Sequence, residues 1–186
     1  MVEVAAAVSL TFKDLWDNYP HNEPCINPRT GKKAYDDQCA VRLGVALEKS
    51  GVDFTRFHGA RCEFGPRGNG MALRAEELAV WLRTRPFLGC PTPLVVPGKQ
   101  FQQQFKGRTG IMFFKDYWLR AGEKFPTGDH IDLWNRDRLT PSFYNFMRFS
   151  LGISRLPNFN PFRTSNNPNW YSNLAESKQV FFWPIL

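Results

Sequence analysis

Asp36-Asp37-Gln38-Cys39-Ala40-Val41-Arg42-Leu43-Gly44-Val45-Ala46-Leu47-Glu48-Lys49-Ser50-Gly51 reads as one helix with a cysteine in its first turn. Asp36 and Asp37 offer carboxylates to the unpaired N–H groups of a helix start, Val41, Leu43, Gly44 and Leu47 make an apolar face, and Gly51 ends the run. Downstream, Leu78, Trp81 and Leu82 recur at helical spacing, so a second helix is expected over roughly Ala72 to Thr84, stopped by Pro86. The intervening Phe54 to Gly70 is rich in Gly, Arg and Pro and reads as loop.

After Pro91 the pattern changes. Val95-Val96, Ile111-Met112-Phe113-Phe114, Ile131-Asp132-Leu133-Trp134 and Val180-Phe181-Phe182-Trp183 are short β-prone runs punctuated by Gly, Pro, Asn and Asp. Helices first and strands later imply an α+β fold with a mostly antiparallel sheet. Residues Ser154 to Ser172, dominated by Asn, Pro, Ser and aromatics, read as a long ordered loop.

The chain has 186 residues, which suits one domain spanning 1–186. Hydrophobic residues at 42% and charged residues at 22% exclude disordered, collagen-like and coiled-coil classes. With 14 glycines and 14 prolines an all-helical bundle is disfavoured. No apolar run approaches the ~18 residues of a membrane span, so no membrane insertion is expected. The apolar start at Val4 to Val8 lacks a basic flank and follows Glu3, so no secretory signal is expected either. The formal net charge of +7 favours anionic partners without choosing among them.

Cys25, Cys39, Cys62 and Cys90 include no C-x-x-C pair, and His21, His58 and His130 are scattered. A zinc site is therefore not expected, and no cofactor is indicated. A thiolate is the reactive form of cysteine, and the partial positive charge of a helix N-terminus favours it, which makes Cys39 the candidate nucleophile. The N–H groups of the same turn, aided by the Gln38 side chain, are candidates to hold an oxyanion. A buried cysteine acting only as a small core residue is the plainer alternative. In an extended strand His130, Asp132 and Trp134 share a face, which makes His130 a candidate base and puts Asp132 at a Cα spacing of ~6.6 Å to orient it. His21 and His58 lie in loop-like stretches and are weaker candidates.

Five segments then recur in family order: Phe12-Lys13-Asp14-Leu15-Trp16, Gln38 to Gly44, Gly107 to Phe114, His130 to Asn135, and Phe182-Trp183-Pro184. With them the chain resembles the type VI secretion amidase effectors of family four, papain-like cell-wall peptidases related to the NlpC group. The resemblance implies a helix bearing the nucleophile packed on an antiparallel sheet that supplies the base, with Cys39 as nucleophile and His130 as base. It implies hydrolysis of the γ-D-glutamyl–meso-diaminopimelate amide of peptidoglycan stem peptides in the periplasm of target bacteria. Delivery by the type VI secretion apparatus and a cognate immunity protein follow from the same resemblance. The chain departs from the family pattern at Pro141, where members carry an aspartate, so Asp132 is taken as third member, Asp137 second, and a Cys–His dyad stays open. In an oxidising periplasm Cys62 and Cys90 would pair and leave Cys25 free.

Two other readings stay on the page. A basic, non-catalytic nucleic-acid binder would use the lysines and arginines for phosphates and the aromatics, 15% of the chain, for stacking. Against it, the basic residues are spread evenly and the aromatics fall in strand-like runs. A non-catalytic domain whose cysteine and histidine never meet is the third.

Overall fold

The computed structural model describes residues 10–65, 69–118, 127–141 and 174–186. The loop expected over Ser154 to Ser172 lies outside them. Contacts divide the chain into two compact units, Met1–Thr92 with Ile185–Leu186, and Pro93–Pro184.

The first unit is helical. Helix α1 (Phe12–Asp17) starts with a reciprocal cap: the Asp14 N–H donates to the Thr11 hydroxyl oxygen and the Thr11 N–H to the Asp14 carboxylate. A two-stranded antiparallel ribbon, β1 (Ile26–Asn27) and β2 (Lys32–Lys33), precedes α2 (Cys39–Lys49). Both α1 and α3 (Ala75–Arg83) contact α2, whose Val41, Leu43, Ala46 and Leu47 are buried.

The sequence expectation is corrected at both helix starts. Helix α2 begins at Cys39 with Gln38 at its N-cap, and the Asp36 carboxylate instead pairs with Lys33 Nζ at 3.1 Å. Helix α3 begins at Ala75, because the preceding residues are extended: Ala72 bridges Arg61, the Cys62 N–H donates to Met71 O, and the Leu73 N–H donates to Ala60 O. A residue held in such pairing cannot also take helical dihedrals.

The second unit is a five-stranded antiparallel sheet in the order β3-β7-β4-β5-β6. Its strands are β3 (Leu94–Val96), β4 (Arg108–Trp118), β5 (Gly128–Arg136), β6 (Arg138–Leu139) and β7 (Gln179–Pro184). Every β-prone run of the sequence lies in one of them. Facing residues on paired strands share a side, so Met112, Phe114, Trp134, Val180 and Phe182 make one continuous apolar surface. Phe101 and Phe105 of the short helix α4 (Phe101–Phe105) and Leu174 complete that core. The indole N–H of Trp134 donates to Phe105 O at 2.9 Å, which satisfies the polar atom of a buried ring. Ile111, Phe113, Ile131 and Leu133, on the opposite face, are buried as well. No described helix is long and apolar enough to cross a membrane.

Candidate active site

Cys39 is the first helical residue of α2, half-buried, and keeps its thiol, since the disulfide joins Cys25 to Cys62. The expected pairing of Cys62 with Cys90 is thus corrected. Cys90 is buried, its Sγ lies 3.6 Å from Leu82 O, and burial pushes its thiol up to about 11. The first bond of α2 runs from the Arg42 N–H to Gln38 O at 2.9 Å, which places Cys39 in the first turn of the helix. The N–H groups of a first helical turn beside a sulfur are of the kind that suits a developing oxyanion.

Gln38 is 3% exposed and does not offer its side chain to a substrate. Its Oε1 accepts the Cys25 N–H at 2.8 Å, and its Nε2 donates to Cys25 O at 2.9 Å and Tyr35 O at 3.3 Å. Both amide hydrogens are committed, which corrects the expectation that this side chain aids an oxyanion. Arg42 Nη2 also pairs with Glu23 Oε1 at 2.6 Å, so a second contact ties α2 to the chain before Cys25.

In the second unit, β5 carries His130 and Asp132 on the side of the apolar core. His130 Nε2 lies 3.5 Å from Asp132 Oδ2, with the side chains 17% and 3% exposed. The other carboxylate oxygen, Oδ1, accepts the Leu133 N–H at 2.8 Å and the Thr140 hydroxyl at 2.6 Å. Two donors on one oxygen fix the plane of the carboxylate and leave the second oxygen toward the imidazole. His130 faces Phe114 across the ladder with ring centroids 6.1 Å apart, and Tyr117 meets it edge-on at 6.4 Å. Between Phe114 and Trp118 the register of β4 shifts: Asp116 takes φ 53 and its N–H donates to Asp129 Oδ1 at 2.9 Å. This bulge, two residues beyond the partner of His130, brings Tyr117 against the ring.

Asp137 is exposed in the β5–β6 turn, and Pro141 is exposed just after β6. His21 and His58 are exposed, and His58 lines a cleft of about 990 Å³ with Asp53, Arg56, Glu76 and Arg85. Neither Gln38 nor Cys39 lines that cleft. Thr140, which beside Pro141 reads in the sequence as a poor substitute for an anion, is the residue whose hydroxyl holds Asp132.

Comparison with known families matches residues 35–183 to Tae4, described as type VI secretion system amidase effector protein 4. The chain belongs to this family. Solved Tae4 structures share its fold: that from Enterobacter cloacae has a TM-score of 0.60 at 14% identity, covering 98% of this chain and 100% of its own. Two Tae4–Tai4 effector–immunity complexes are similar, one from Salmonella typhimurium (TM-score 0.60, 15% identity, 96% of this chain, 100% of that one) and one from E. cloacae (0.58, 17%, 96%, 100%). At such identities the likeness establishes the fold, the α+β papain-like arrangement expected from the sequence. No curated protein sequence matches the chain. As a member of the Tae4 family it is a type VI secretion amidase effector.

Proposed function

We propose that this chain is a cysteine amidase that cleaves the γ-D-glutamyl–meso-diaminopimelate bond of peptidoglycan stem peptides in the periplasm of bacteria into which it is injected. The observation that carries the reading is the thiol of Cys39 at the first position of α2, in a chain of the Tae4 family.

In this reading His130 takes the thiol proton, and the Cys39 sulfur attacks the γ-carbonyl carbon of D-glutamate. The first-turn N–H groups of α2 stabilise the oxyanion. Collapse breaks the C–N bond, the protonated imidazole delivers its proton to the departing diaminopimelate amine, and a thioester remains. Water, deprotonated by His130, attacks that thioester and releases the γ-carboxylate and the thiol. Asp132, 3.5 Å from Nε2, steadies the ring and leaves Nδ1 for the sulfur. No step uses a metal or cofactor. The Tae4–Tai4 complexes of related effectors support a cognate immunity protein as partner of this one.

The test incubates wild type and Cys39→Ala with purified muropeptides and identifies products by mass spectrometry. Wild type is expected to split stem peptides between glutamate and diaminopimelate, with the variant slower by about 10⁴-fold or more. Cleavage by both proteins, by neither, or at another bond rejects the reading.

A further inference from the structure

Cations that are spread along the sequence are gathered by the sheet at one of its ends. The β4–β5 ladder sets Arg108 directly opposite Arg136, Lys106 stands two residues before β4, and the turn after β5 leads to Arg138 at the start of β6. All four residues are exposed. Facing residues on a ladder have Cβ atoms about 4.5–5.5 Å apart, and like charges at that spacing cost stability. Among the described residues no carboxylate forms an ion pair with any of the four, and from Leu78 to Lys115 the chain contains no acidic residue. Asp137 is the one acid of the β5–β6 turn. The Arg108 guanidinium lies over the rings of Phe105 and Phe182, 5.9 and 5.3 Å from their centroids, so it is held in place before any anion arrives. Repulsion of this kind is offset when an anion from outside binds between the cations.

We propose that this end of the sheet is a second wall-binding surface, which takes the carboxylates of peptide stems other than the one being cleaved. The inference rests on the amidase reading. The pair Arg108–Arg136 lies six ladder positions from the pair Phe114–His130, about 20 Å along the strands at ~3.4 Å per residue. A stem of four or five residues spans at most about 14–18 Å when fully extended, so the stem held here is not the one whose bond His130 serves. Guanidinium forks match carboxylates in geometry as well as in charge. The wall polymer repeats those carboxylates, whereas a free muropeptide offers a single stem. Engagement of a second stem therefore retains the enzyme on the polymer and leaves the chemistry unchanged.

The experiment uses Cys39→Ala as an inactive carrier and measures its cosedimentation with purified sacculi. Lys106→Gln/Arg136→Gln/Arg138→Gln removes three charges from the surface and leaves Arg108 over its rings. Arg29→Gln/Lys32→Gln/Lys49→Gln removes three exposed charges elsewhere. The first set is expected to raise the Kd for sacculi about tenfold, and the second less than about twofold. In the active chain the first set raises KM on sacculi by the same factor, while kcat, and both constants on soluble muropeptides, stay level. Circular dichroism checks the fold of each variant. Should the triple variant not fold, Arg138→Gln alone, at the exposed turn, is expected to raise Kd about twofold to threefold.

Equal losses from the two sets, unchanged binding to sacculi, or the same loss on soluble muropeptides overturns the proposal. So does binding to phosphatidylglycerol vesicles or to oligonucleotides that depends on the first set while binding to sacculi does not. The two readings fail separately. Binding to sacculi that depends on these cations, in a chain that cleaves no muropeptide, keeps the surface and rejects the amidase assignment. Cleavage that requires Cys39, in a chain whose binding to sacculi ignores these cations, does the reverse.

Discussion

Thr140 shows how one hydroxyl can stand in a place that sequence comparison leaves blank. The family resemblance implies an aspartate at position 141, where this chain has proline, and a threonine beside it looks a poor replacement for an anion. In the structure the β5–β6 turn brings Thr140 back on β5, and its hydroxyl donates to Asp132 rather than to His130. Removing a donor from a buried carboxylate costs about 1–3 kcal/mol. Thr140→Val should therefore lower kcat about tenfold, with Thr140→Ser close to wild type; equal kcat for all three would detach Thr140 from the site. The shared face of His130 and Asp132 was legible in the two-residue period of a strand. Thr140 was not, because periodicity says nothing about what a turn folds back. Cys90 differs from Cys39 in kind. Its buried thiol ionises near 11, against 9.0 for an ordinary thiol, so iodoacetamide at pH 8 should modify Cys39 and spare Cys90. Because the folded chain holds that proton more tightly than the unfolded chain, stability should be unaffected by Cys90 below pH 9 and fall between pH 9 and 11. Urea titrations of Cys90→Ala and wild type across that range check it: the variant should lose less stability.

Helix α2 owes its seat to what its face lacks as much as to what it carries. A Cβ added to Gly44 would lie 1.7 Å from Gly70 O, so the backbone of the 70 segment touches the helix directly, and the Gly70 N–H is held by Glu48 Oε2 at 3.0 Å. Gly44→Ala has to push the two apart. A loss of about 1–3 kcal/mol is expected, each kcal/mol lowering Tm by about 2–4 °C in a chain of this size. Calorimetry showing an unchanged Tm would mean that the contact is relieved without cost. The disulfide acts at the same scale. It spans 37 residues, for which chain entropy predicts about 4 kcal/mol of stabilisation. The apolar face of α2, the second helix and all four β-prone runs were legible because burial on one face writes a period into the sequence. The helix starts were not. Asp36 looks like a cap until Lys33 takes its carboxylate, and residues 72 and 73 read as helix until pairing with residues 60 and 61 holds them extended.

For the whole chain, net charge of +7 is the property that neither element nor residue explains. Some of the positive charge is already answered locally, as in Lys13 with Asp17, Lys33 with Asp36, Arg42 with Glu23 and Arg74 with Glu77. The exposed ones among these pairs add little to stability, so the excess acts mainly outward, on what approaches the surface. A stem peptide bears several carboxylates, and a cell wall repeats them densely. Attraction over that surface speeds encounter, and salt screens it over a Debye length of about 10 Å at 0.1 M. On intact sacculi kcat/KM should therefore fall several-fold between roughly 0.05 and 0.3 M salt, while kcat stays level, since chemistry after binding occurs at short range. A kcat that falls in step with kcat/KM would place the salt effect in the chemistry or in the fold. The same titration separates the amidase from a nucleic-acid binder, because phosphate neutralisation gives a steep linear dependence of log K on log salt for oligonucleotides. Tight oligonucleotide binding that collapses over this range, with sacculi left intact at every salt, would turn the charge into evidence for the rival function. Saturable cleavage of sacculi whose KM alone responds to salt ties the charge to the substrate proposed for Cys39.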